Sequence, residues 1–163
     1  MKLGTLFPSL SKPLTSSRML GLYYASSWCP DCTPITPALG RVYAAQSVGE
    51  GTKELEIVYI SSDRSAEQMA VSMKESHGPW ESIPYEKIDE RSSLKRHFGV
   101  CAGMEASELG LTGGKRKFGI PTLIIIDSET QEVLTMDGVR DVMKVSDGIG
   151  VVEGWIGALS SPN

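Results

Sequence analysis

Two of the three cysteines in this 163-residue chain stand three positions apart, in the segment Trp28-Cys29-Pro30-Asp31-Cys32. Thiol–disulfide exchange asks for that spacing: one thiolate attacks a disulfide sulfur, and a second thiol must lie within reach to resolve the mixed disulfide. Pro30 suits the first turn of a helix, and a helix start favours an anion facing its free N–H groups. Cys29 is therefore assigned as the nucleophile at the exposed helix start, with Cys32 one turn inside as the resolving thiol. Asp31 opposes the anion, which predicts a more reducing couple than a neutral residue would give. The competing chemistry for Cys-x-x-Cys is half of a zinc site, completed from His77, His97 or Cys101. The apolar, strand-like run before Trp28-Cys29-Pro30 argues for redox chemistry over zinc.

Elements that could hold the pair can be read around it. Met19 to Ala25 is apolar and aromatic and predicts a buried strand ending at Ser26-Ser27. Ile35, Leu39, Val42 and Tyr43 continue a helix from about Pro30, which Pro34 and Pro37 would bend. Leu55 to Ile60 reads as a second strand, and Ser62 to Ser65 as the cap of a helix over 66–76. A shorter helix is predicted over 92–98. Thr122 to Ile126 is the clearest strand; a turn at 127–130 and a return strand over 131–136 make a hairpin. A closing helix over 149–159 runs through Val152, Trp155, Ile156 and Leu159. Residues 1–19 suggest a short strand and a loop. Residues 101–117 are Gly-rich, end in Lys115-Arg116-Lys117 and show no firm periodicity, so they read as a long loop. The order βα, βα, hairpin, helix implies a single mixed α/β domain spanning 1–163.

Composition narrows the partners. A hydrophobic content of 40% with 22% charged residues is ordinary for a globular chain. A net charge of -4 and pI near 5.2 argue against nucleic acid as the main partner. No apolar run reaches the roughly 18–20 residues that span a bilayer, and Pro8 and Pro13 interrupt any leader-like stretch. A cytoplasmic monomer with no nucleic-acid or membrane partner is expected. Gly110 to Lys115 is no phosphate loop: Leu109 occupies the position of its first glycine, and Arg116 that of its Ser or Thr. His77 and His97 read as surface or helix-end residues, and Cys101 as a plain loop cysteine, with a second redox centre or regulatory thiol as the alternative.

These motifs resemble the thioredoxin superfamily: Trp28-Cys29-Pro30-x-Cys32 after an apolar strand, with Ile120-Pro121-Thr122 much later. Within it, Ala25 to Pro30 is similar to tryparedoxins and nucleoredoxins, and Ile60 to Ser65, Pro79-Trp80 and Ile83-Pro84-Tyr85 resemble nucleoredoxins. The resemblance implies a thioredoxin fold, a central mixed β-sheet flanked by helices, with 101–117 as a long insertion before the cis-proline strand. It implies a cis bond at Pro121 facing the cysteines, and an Ile120 backbone that pairs with a bound substrate. Trp28, Pro30 and Asp31 would form the substrate surface, and Trp80 would either line it or pack the core. Tyr23 stands where ordinary thioredoxins carry a buried acid.

The activity implied is reduction of protein disulfides, with a peroxiredoxin as one acceptor. No cofactor would be bound and no metal held; an upstream reductase or a small dithiol such as trypanothione would supply electrons. The alternatives are a redox-sensing interaction module with little turnover and, third, a zinc-binding domain. Two departures bear on substrates. Asp31 replaces the second proline of the tryparedoxin Cys-Pro-Pro-Cys, and the insertion would emerge beside the site, where it gates access, selects a partner or is merely solvated.

Overall fold

The computed structural model describes residues 2–46, 53–144 and 148–159. The first elements differ from expectation. Instead of a strand and a loop, the chain opens with α1 (Leu3–Leu6), a 3₁₀ turn at Pro8–Leu10 and α2 (Ser11–Ser16). Leu3, Phe7, Leu10 and Leu14 recur at helical spacing and are all buried in one cluster. Pro8 and Pro13 fall in first turns, where a missing N–H breaks no helical hydrogen bond.

Strand β1 (Ser17–Ala25) follows and leads into α3 (Ile35–Ala45), β2 (Lys53–Ser61) and α4 (Ala66–Ser76). A two-residue β3 (Glu81–Ser82) precedes α5 (Ile88–Phe98), which begins four residues before the predicted Ser92 because Asp89 and Glu90 supply an acidic first turn. The hairpin strands are β4 (Thr122–Asp127) and β5 (Val133–Thr135), and the chain closes with α7 (Gly138–Lys144) and α8 (Gly148–Ile156). Helix α7 was not legible in advance. Gly138 opens it against β4, so closely that a Cβ would stand 2.8 Å from the Leu123 carbonyl oxygen.

The sheet order is β3-β2-β1-β4-β5. β1 pairs parallel with β2 and antiparallel with β4, with Tyr23 opposite both Tyr59 and Leu123. The fold is thus the expected thioredoxin-like mixed sheet. Both faces of the central strands are covered, and the two-residue alternation separates them. Met19, Tyr23, Leu55, Ile57, Tyr59, Leu123 and Ile125 face α3, α7 and α8. Leu20, Leu22, Tyr24, Val58, Ile60, Ile124 and Ile126 face α5 and the N-terminal helices. Each such aliphatic side chain contributes about 1.5–3 kcal/mol by leaving water.

The insertion is the second correction: 101–117 is not an unstructured loop. It carries a 3₁₀ turn (Gly103–Glu105) and a one-turn helix α6 (Ala106–Leu109), and encloses its own small apolar cluster of Cys101, Leu109 and Leu111. A stem closes it. Gly99, at φ 70°, ends α5 in the left-handed conformation, and its carbonyl accepts the N–H groups of Lys117 (2.8 Å) and Phe118 (3.2 Å). Three apolar residues at irregular spacing leave no periodic signature, which is why the segment read as a loop.

Candidate active site

β1 runs out at Ala25, whose carbonyl accepts the Ser62 N–H at 2.9 Å, so the ends of β1 and β2 stay together one step past the strands. The chain then turns through residues 26–34. The regular helix does not begin at Pro30 as predicted but at Ile35. Cys29 and Cys32 lie instead in tight turns, with Cys32 N donating to Cys29 O at 3.2 Å and Thr33 N to Pro30 O at 3.3 Å. Pro34 cannot donate and stands as the helix N-cap. Pro37 falls in the first turn, so the two prolines start the helix cleanly.

Cys29 is 5% exposed and Cys32 1%, so the nucleophile expected at an open helix start is itself largely covered. Their side chains are hydrogen-bonded to each other. The Cys29 thiol also points at the Ile120 carbonyl, 3.9 Å away, and the Ile120–Pro121 bond is cis. The Ser26 backbone N–H donates to the Cys32 sulfur. Burial, and then the hydrogen bond with Cys29, pushes the Cys32 thiol well above its ordinary range. Pro30 and Asp31 are exposed on the turn between the two sulfurs.

Beneath the pair lies a polar floor that the sequence did not announce. The Asp63 carboxylate, buried, accepts from the Ser27 N–H and hydroxyl (2.7 Å each), the Tyr59 hydroxyl (2.9 Å) and the Ser61 hydroxyl (2.7 Å). It thereby fixes the turn two residues before Cys29. The tetrapeptide 62–65 reads as a helix cap, but only Ser65 caps α4, accepting from Gln68 N at 3.0 Å; Asp63 turns inward. Tyr23 shares a 2.8 Å hydrogen bond with Thr36, whose hydroxyl donates to the Cys32 carbonyl at 3.3 Å. Burial raises both Tyr23 and Tyr59 above the usual phenol range.

His77, expected as an isolated helix-end residue, does follow α4 but is half-buried, its ring 4.4 Å from that of Tyr59. Burial pushes its pKa down to about 4, partly offset by Asp63. Its Nδ1 accepts the Trp80 indole N–H at 3.1 Å. Trp80 itself is buried and packs edge-on against Tyr43. It belongs to the same buried cluster as Cys29 and Cys32.

Trp28 is half-buried at the rim. Its indole N–H donates to the Ser62 carbonyl at 2.9 Å, and the Arg64 guanidinium lies 5.3 Å over its ring. Ser62 links outward as well: its hydroxyl donates to Glu105 of the insertion at 2.7 Å, and Glu105 is ion-paired with buried Lys95 at 2.6 Å. The insertion is therefore wired to the Trp28 support. On the opposite side of the pair, a cavity of about 720 Å³ between the start of α3 and α4 is bordered by Ser26, Cys32, Thr36 and Glu75. The zinc alternative lacks a ligand set: among the described residues no three His, Cys, Asp or Glu side chains converge as a metal site.

A family profile described as thioredoxin-like matches residues 17–132, from the first residue of β1 to the β4–β5 turn. The chain belongs to the thioredoxin-like family. Mouse (Mus musculus) nucleoredoxin is 31% identical to this thioredoxin-like chain over 148 residues, 88% of the chain but 29% of the nucleoredoxin. The chain thus spans less than a third of the length of the nucleoredoxin it matches. Tryparedoxin of Trypanosoma brucei brucei is 32% identical over 129 residues, 78% of the chain and 73% of the tryparedoxin. A tryparedoxin II structure in complex with glutathionylspermidine superposes with a TM-score of 0.60 at 25% identity, covering 85% of this chain and 77% of that one. No helix among the described residues is long and apolar enough to cross a membrane.

Proposed function

We propose that the chain is a protein-disulfide reductase working through Cys29 and Cys32. The observation that carries the reading is the paired thiols at the end of β1, with the Ile120 carbonyl opposite. The Cys29 thiolate attacks one sulfur of a substrate disulfide, and that S–S bond breaks as the mixed disulfide forms. The departing substrate thiolate takes up a proton. Cys32 gives up its proton and attacks the Cys29 sulfur, so an internal disulfide forms and the second substrate thiolate leaves. The substrate gains two electrons and the pair loses them; an external dithiol or reductase returns them.

The raised Cys32 thiol keeps the resolving group protonated, hence unreactive, until Cys29 is engaged. Trp28, Pro30 and Asp31 form the substrate-facing surface, and the Ile120 backbone beside Pro121 pairs with the bound chain. The donor is proposed as a small dithiol of the trypanothione type or a reductase protein, by analogy with the tryparedoxin solved with glutathionylspermidine. A peroxiredoxin is a reasonable acceptor. The proposed setting is the cytoplasm, with the protein acting as a monomer.

The test is turnover on insulin with dithiothreitol, trypanothione or thioredoxin reductase as donor, beside a Cys29→Ser control. Turnover that disappears in the control supports the reductase, and the preferred donor names the branch. Absence of turnover with every donor rejects it. A redox-sensing interaction module is the second reading, favoured by one feature: the folded insertion tied through Glu105 and Ser62 to Trp28. Slow turnover with partner affinity that changes on oxidation would select it.

A further inference from the structure

The rim around Cys29 carries apolar and cationic groups that disulfide exchange alone does not require. Met104, 63% exposed, precedes Glu105, whose carboxylate is fastened to the Ser62 hydroxyl and so to the loop that holds Trp28. Phe118, 40% exposed, stands two residues before Ile120, whose carbonyl the Cys29 thiol faces. Two large apolar side chains are thus exposed on the insertion and its stem, each next to a residue fixed by hydrogen bonds.

Cations frame them. The Arg64 guanidinium rides over the Trp28 ring. Arg116 donates from Nε to the Cys101 carbonyl at 2.9 Å and packs on Gly119, where a Cβ would come within 2.5 Å of the guanidinium. Lys115 and Lys117 flank it, exposed. Among the described residues none of these four forms an ion pair with a carboxylate. Of the acids on the same segments, Glu105 is paired with Lys95 and Asp63 is buried beneath the cysteines among hydroxyl and amide donors, while Asp31, Glu67 and Glu108 are exposed. These exposed, unpaired cations stand on a chain of net charge -4. Charge complementarity therefore points to an anionic partner, and the apolar pair points to one with side chains to bury.

We infer that this rim receives the polypeptide around a substrate disulfide, and selects substrates in which acidic residues adjoin that disulfide together with an apolar side chain. The inference rests on the reductase reading and adds its substrate class. A small dithiol needs only the sulfurs; Arg64 over Trp28 and Arg116 against Gly119, next to the cis bond, are spread in a way that suits an extended chain.

The experiment compares two disulfide-closed peptides that differ only in the pair of residues beside one cysteine, Asp-Asp or Lys-Lys, with dithiothreitol as donor. The readout is the ratio of their kcat/KM values, from which any change in thiol reactivity common to both cancels. The expected ratio favours the acidic peptide by about tenfold or more at low ionic strength and shrinks as salt screens it. Arg64→Glu/Lys117→Glu should bring the ratio to one or invert it, and Lys115→Glu alone should lower it in the same direction. A wild-type ratio near one, or a ratio that both variants leave unchanged, overturns the inference while the reductase stands. If the wild-type protein turns over neither peptide nor insulin, the reductase reading fails and this inference with it.

Discussion

The chain holds buried thiols in two places, and only one of them brings two sulfurs together. Cys101 is fully buried in the insertion, against Leu109 and Leu111. Burial raises its thiol, and the nearby Glu105 adds to that against Arg116 and Lys95. Cys29 is scarcely more exposed, yet its sulfur meets a second thiol, the Ile120 carbonyl from the segment leading into β4 and a turn clamped by Asp63. Accessibility does not separate the two cysteines. The difference lies in having a resolving partner and a fixed approach, so reactivity here comes from the surroundings the backbone supplies.

Substitution can break that comparison, beginning with the sulfurs. Cys29→Ser should reduce insulin turnover to background, whereas Cys101→Ala should leave it within about twofold while costing about 1 kcal/mol in urea unfolding. Equal losses in the two variants would erase the distinction. Cys32→Ser should leave Cys29 able to attack but unable to be resolved, so a mixed disulfide with substrate should accumulate on a non-reducing gel. Release of substrate without accumulation would mean that Cys32 is not the resolving thiol.

The next effect falls on the insertion side. Lys95→Met removes one partner of the buried pair and should cost about 3 kcal/mol, at the lower end for such pairs because Glu105 is partly solvated. Trp28 fluorescence should shift as well, since Glu105 holds Ser62. A stability loss with an unmoved Trp28 signal would uncouple the two regions.

On the active-site side, His77 predicts a pH dependence. Its folded pKa of about 4 lies below the ordinary 6.5. Between those values the unfolded chain binds a proton that the folded chain refuses, so stability falls as pH drops through that window and falls no further on this account below it. The slope is at most about 1.4 kcal/mol per pH unit. Protonating Nδ1 would also displace the Trp80 hydrogen bond. Chemical unfolding from pH 7 to 4 should show this slope in the wild type and lack it in His77→Phe; identical slopes would exclude His77 as the source. The smallest effect belongs to Asp31→Pro. Removing the charge beside the sulfurs should raise the reduction potential by about 15–30 mV against a dithiothreitol couple, and an unchanged or lower potential would refute it.

What could be read in advance follows the physics of each segment. β4 and α4 were legible because an unbroken β-branched run and a capped helix start have few alternative placements. The cysteine pair needed only its spacing. The N-terminal helices were hidden by prolines that read as breakers wherever they stand, and α7 by its glycine start. Asp63 and His77 were missed for a different reason. Each acquires its role from partners far along the chain, Asp63 from Ser27 and His77 from the Tyr59 ring, and no local pattern records such a meeting. Trp80 was left open between rim and core because its sequence neighbours suit both.

β1 is the central strand, flanked on both edges and buried along nearly its whole length. Its amides should be among the last in the molecule to exchange with solvent, opening only in global unfolding. The dithiol hangs from the end of that strand, so local fraying contributes little to setting its aim. The placing of the two sulfurs should therefore be as durable as the sheet itself.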